Sequence, residues 1–91
     1  MVYLVTYDLK RPGQEYTRLH EAIEALGIWW HYLESTWLVD TSLGASGVWE
    51  HLKRTIDRND SLLIIAVSRD YSGWLTEDAW QWIQQRVRAA A

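Results

Sequence analysis

The stretch Val2-Tyr3-Leu4-Val5-Thr6-Tyr7-Asp8-Leu9 decides the fold. Successive side chains of an extended chain point to opposite sides, so Val2, Leu4 and Thr6 share one face and Tyr3, Val5 and Tyr7 the other. Both faces are mostly apolar, which predicts a central strand. Lys10-Arg11-Pro12-Gly13 interrupts it. From about residue 13, Tyr16, Leu19, Ile23 and Leu26 recur at helical spacing, and Gly27 is a natural helix stop.

Residues 28–41 are β-branched or aromatic for most of their length, with a polar interruption at Glu34-Ser35-Thr36. They read as two strands or one kinked strand, roughly 29–33 and 35–41. Residues 42–46 offer loop chemistry and a helix cap, and Val48, Trp49, Leu52 and Ile56 form the stripe of a second helix that Arg58-Asn59-Asp60 closes. Residues 61–67, SLLIIAV, are the most strongly β-forming and are expected to be a buried strand. After a turn at Tyr71-Ser72-Gly73, Thr76 caps a last helix over about 76–90, with Glu77 and Asp78 at its positive end and Arg86 and Arg88 at its negative end. Its stripe, Trp80, Ile83 and Val87, is narrow.

The order β-α-β-β-α-β predicts a single α+β domain over residues 1–91, a ferredoxin-like plait with an additional C-terminal helix. In that architecture two helices cover one face of an antiparallel sheet, and the other face is left for water or a partner.

Bulk properties narrow the function. At 91 residues the chain lies at the low end of one domain, so a larger site needs a second copy or another protein subunit. There is no cysteine, which removes disulfides and thiolate chemistry. No apolar run is long enough for a bilayer and the N-terminus lacks a basic leader, so a soluble cytoplasmic protein with no membrane partner is expected. A net charge of -3 argues against a broadly basic nucleic-acid-binding surface. Seven Trp and five Tyr without any Phe point instead to rings at an interface, and to self-association.

With its aspartate ending the first strand, Tyr3-Leu4-Val5-Thr6-Tyr7-Asp8-Leu9 is followed by a helix ending in Leu26-Gly27. Next come Leu33-Glu34-Ser35-Thr36-Trp37-Leu38-Val39, a second helix, and Asp60-Ser61-Leu62-Leu63-Ile64-Ile65. In this order and spacing, roughly the first three quarters of the chain resembles the small CRISPR-associated spacer-integration subunits and the VapD-like superfamily around them, closest in texture to the SinR-like group. The resemblance implies a homodimer with sheet faces packed together and Asp8 of each copy near the other across the two-fold axis. It implies Asp8 as a Mg²⁺ ligand and catalytic residue in cleavage of RNA or DNA in some members, and a purely nucleic-acid-bridging role in others. Tyr7 carries over beside Asp8, and Ser35 and Trp37 as structural matches. The family commonly adds a further strand that crosses to the partner, whereas here the chain from Trp74 onward reads as helix.

The residues carry competing readings. Paired Asp8 carboxylates would repel unless protonated or bridged by a cation, and Mg²⁺ accepts a few carboxylates with water and phosphate oxygens. A strand-terminal Asp also serves as an Asx turn or as a cap for the helix after Pro12-Gly13. Lys10, Arg11 and Arg18 would hold a phosphate chain beside Asp8, or form a solvated face. Lys53, Arg54 and Arg58 are diluted by Glu50 and Asp57. His20, His31 and His51 match no ligand spacing and read as ordinary polar positions. Trp29, Trp30 and Trp37 could stack on bases, but with Tyr7 they read better as a dimer core, so Tyr7, Trp29 and Trp37 are assigned to the interface. Trp74, Trp80 and Trp82 suggest docking of the last helix on a sheet edge or partner subunit, Trp82 lying off the stripe.

Two functions are therefore expected. One is a homodimeric nucleic-acid-binding protein with Mg²⁺-dependent phosphodiester cleavage. The other is a non-catalytic dimeric adaptor in a toxin–antitoxin or phage-defence system. A weaker third is a small-ligand domain with a pocket at the dimer seam.

Overall fold

The computed structural model describes residues 1–10 and 16–87. Strand β1 (Val2–Asp8) is followed by helix α1 (Thr17–Glu24), strands β2 (Ile28–Leu33) and β3 (Thr36–Asp40), and helix α2 (Ala45–Leu52). A 3₁₀ turn (Lys53–Thr55), strand β4 (Ser61–Ala66) and helix α3 (Glu77–Arg86) complete the chain. The strands form one antiparallel sheet in the order β2-β3-β1-β4, so the molecule is α+β and compatible with a ferredoxin-like plait. Among the described residues no helix is long and apolar enough to cross a membrane.

The alternation read in β1 sets up two cores. Tyr3, Val5 and Tyr7 pack with Trp37 and Val39 of β3 beneath Leu19 and Ile23 of α1 and Val48 and Leu52 of α2. On the opposite face Val2, Trp30 and Leu38 pack with Ala79, Ile83 and Val87, joined by Leu4 and the partly buried Trp80 and Trp82. The second face is therefore not wholly open, as the sequence led us to expect: α3 covers the β2-β3 side of it. Arg86 fixes the helix there, pairing with Asp40 at 3.5 Å and lying 5.2 Å from the centre of the Trp82 ring. Trp82 is partly buried in this packing.

The β4 side of the same face stays uncovered. Leu63 and Ile65 lie opposite Thr6 and Leu4 in register and are 55% and 53% exposed. The expectation of a buried strand at 61–67 is thus corrected, since β4 is an edge strand of which only Leu62 and Ile64 pack against the helix-side core. Two terminal details also differ in their chemistry. Thr76 caps α3 as expected, accepting from the Ala79 N–H at 3.3 Å. Helix α2 has Gly44 at its N-cap and no side-chain cap, although serines flank it.

Candidate functional site: the rim around Asp8

Asp8 ends β1 opposite Ser61 of β4, and its side chain is 70% exposed. Lys10 Nζ donates to Asp8 Oδ2 at 2.8 Å, and this bond holds the ammonium pKa above its ordinary value. The pair is solvated on both sides, so the contact is weak and a ligand could displace it at little cost. The Lys10 N–H donates to Asp60 Oδ1 at 2.9 Å, and the Asp57 N–H donates to Asp60 Oδ2 at 2.9 Å. Asp60, read in the sequence as a helix terminator and the start of the last strand motif, thus clamps the loop after β1 to the start of β4. The cap reading of Asp8 is not what is found: α1 has Tyr16 at its N-cap, with no side-chain cap bond.

Asp8 stands between two recesses. One, of about 380 Å³, lies among Tyr7, Leu9, Tyr16, His20, Glu34 and Ser35. The other, of about 270 Å³, is bounded by Thr6, Ser61 and Leu63.

Behind the first recess runs a chain of hydrogen bonds. Trp37 Nε1 donates to the Tyr7 hydroxyl at 3.1 Å, and the same hydroxyl lies 3.0 Å from His20 Nε2. An indole can only donate, so the Tyr7 oxygen accepts from Trp37, while the direction of its second bond, to His20 Nε2, follows the imidazole tautomer. Burial raises the Tyr7 pKa, outweighing the Trp37 bond, so the phenol keeps its proton. Burial also lowers the pKa of His20, helped by His31 and opposed by Glu24, which favours the neutral imidazole. His31 stacks on Trp37 with ring centres 3.7 Å apart, and its Nε2 lies 3.0 Å from the Glu34 carbonyl oxygen. Histidines read as ordinary polar positions thus form a network across α1, β1, β2 and β3.

A pH dependence follows. His20 takes up a proton less readily in the folded chain than at its unfolded value of 6.5, so its contribution to stability is complete above that value and is lost as pH falls below it. The thermal midpoint is expected to decline between about pH 7 and about pH 5, and His20→Gln, which keeps a hydrogen-bond partner for Tyr7, to decline less steeply; parallel slopes would exclude His20 as the cause.

The residues assigned from sequence separate here. Asp8 and Lys10 are together. Arg11 lies outside the described residues. Arg18 is exposed, and at two residues from both Tyr16 and His20 it points about 200° around α1 from the recess. Tyr7 and Trp37 are buried in the chain's own core, Trp37 at 2% exposure. Trp29 is 42% exposed and its ring lies 5.2 Å from that of Trp37. All three sit on the helix-side face, so a dimer surface on the uncovered face does not contain them.

For Mg²⁺, the ion implied by the resemblance, the described residues bring no group of three or more His, Cys, Asp or Glu together. Asp8 offers one exposed carboxylate, and both oxygens of Asp60 already accept backbone N–H groups. Glu34 lines the same recess as Asp8, so two carboxylates border it within one chain. No family model, no curated protein and no solved structure matches this chain.

Proposed function

We infer that the chain is a dimeric, non-catalytic adaptor built on a ferredoxin-like plait, whose uncovered half-sheet binds a second copy. The observation that carries this reading is the exposure of Leu63 and Ile65 on a regular strand, beside a groove of about 360 Å³ whose rim includes Trp74, 99% exposed. Large apolar side chains grouped on a sheet surface mark an interaction site. The likeness to spacer-integration and VapD-like proteins agrees, because that group includes subunits that only bridge other molecules.

A second reading, nucleic-acid binding with metal-dependent cleavage, is favoured by one observation: Asp8 is exposed at a strand end between two recesses, with the Lys10 ammonium beside it. One preparation separates the two. Wild type and Asp8→Asn are assayed on labelled single- and double-stranded RNA and DNA with Mg²⁺, Mn²⁺ or chelator, and their masses are measured by sedimentation. The adaptor reading predicts dimers of both proteins and identical traces with and without metal. Metal-dependent cutting that is lost in Asp8→Asn would replace it with the nuclease reading.

A further inference from the structure

Strand β4 is unusually bare for an edge. Its six residues, Ser61–Ala66, contain no charge, proline or glycine, and its register with β1 is unbroken from Tyr3↔Ala66 to Asp8↔Ser61. Natural sheets blunt their edges with charges, prolines, bulges or a covering element, because an unprotected edge recruits another strand. The opposite edge has one such device: β2 carries a register irregularity between Trp30 and Leu33.

The backbone polarity of β4 can be worked out. The Val67 N–H donates to the Val2 carbonyl at 2.9 Å, so the Val2–Val67 pair is a hydrogen-bonded one. In an antiparallel pair such positions alternate, which directs residues 65, 63 and 61 toward β1 and aims the N–H and C=O groups of Leu62, Ile64 and Ala66 out of the sheet. Among the described residues no backbone bond outside the sheet uses these three.

We propose that two copies join edge to edge along β4, antiparallel about a two-fold axis through Ile64, fusing two four-stranded sheets into one of eight strands. This rests on the dimeric reading above and specifies its seam. With Ile64 opposite its own mate, Leu62 falls opposite Ala66 of the other copy at both ends, so all three outward positions are satisfied, with about two bonds per pair. The same register sets Leu63 of one copy beside Ile65 of the other, shielding both exposed side chains. An antiparallel seam brings Arg69 and Asp70, which follow β4, alongside Asp57, Arg58 and Asp60 of the other copy, so charges of both signs meet at each end. The two Asp8 carboxylates are then about 25 Å apart, from three strand spacings across and six residues along, so each rim acts alone.

The test uses the full chain. In wild type at dimer-forming concentration, the Leu62, Ile64 and Ala66 amides are expected to exchange slowly, and on dilution to speed up at least tenfold while Leu63 and Ile65 stay protected. Ala66→Pro is placed where the N–H is unused within one copy and the side chain is exposed. It is expected to leave the fold intact and raise the dimer dissociation constant at least tenfold. A dimer in which residues 62, 64 and 66 exchange freely, or a folded Ala66→Pro that dimerises as wild type does, overturns the edge seam and leaves the dimeric reading standing. A monomer at all concentrations overturns both. Should Ala66→Pro fail to fold, the exchange pattern of the wild type decides alone.

Discussion

Gly27→Ala is expected to lower the thermal midpoint by about 15 °C. The sequence reads Gly27 as a helix stop, yet its backbone does not depend on a left-handed conformation. The constraint is space: a Cβ at Gly27 overlaps the Asp40 carbonyl oxygen and comes within 3.1 Å of the carbonyl carbon. Those atoms belong to β3 where Ile28 pairs with Asp40, so relief requires the β2-β3 ladder to open at its start. Overpacking against backbone, which cannot rotate away, costs about 3 kcal/mol, a large share of the stability of a domain this size. Gly73 is the control. Nothing lies within 4 Å of a Cβ there, and Gly73→Ala is expected to shift stability by less than about 0.5 kcal/mol. Calorimetry on the two variants checks the contrast, and equal midpoints would show that the chain re-routes around residue 27.

Trp37→Ala is expected to cost about 4 kcal/mol, because the indole is buried and contacts the rings of His20, His31 and Trp29. The informative comparison is finer. Tyr7→Phe removes the acceptor for the buried Trp37 N–H and the hydrogen-bond partner of His20 together, and is expected to cost about 2 kcal/mol. Trp37→Phe leaves Tyr7 still bonded to His20. The double variant leaves no orphaned indole N–H, so its cost falls short of the sum by about 1 kcal/mol. Denaturant titration of the four proteins measures this coupling. Strict additivity would mean that the Trp37-Tyr7-His20 chain contributes nothing as a unit.

Much of this architecture is legible in the sequence, and the exceptions share a cause. The β1 alternation predicts two buried faces correctly, because period-two patterning depends only on the strand itself. The Thr76 cap is equally local. What escapes is neighbourhood. Residues 61–67 are apolar enough to be buried on both faces, but β4 lies beyond β1 at the end of the sheet, where only Leu62 and Ile64 pack against the helix-side core. The stripe Trp80, Ile83, Val87 announces an amphipathic helix without saying which surface it covers, and that surface proves to be the face expected to be open.

At the candidate site the same division holds. Asp8 is visible as a strand-terminal carboxylate, and its exposure was foreseeable. The partners of its rim were not. Asp60 comes from fifty residues away to hold the Lys10 backbone, and Tyr7 is joined to His20 and Trp37 across thirteen and thirty residues. A search for metal-ligand spacings has no means of finding a histidine whose partner is a phenol. A usable signal was present nonetheless: Tyr7 faces the helices near the start of α1, and His20 lies one turn after Tyr16 beside the buried Leu19.

The most direct measurement is sedimentation equilibrium of the full wild-type chain over a wide concentration range. The account predicts a reversible rise from 10.7 kDa to twice that mass. A mass of 10.7 kDa at every concentration would contradict it and leave the uncovered half of the sheet without its second copy.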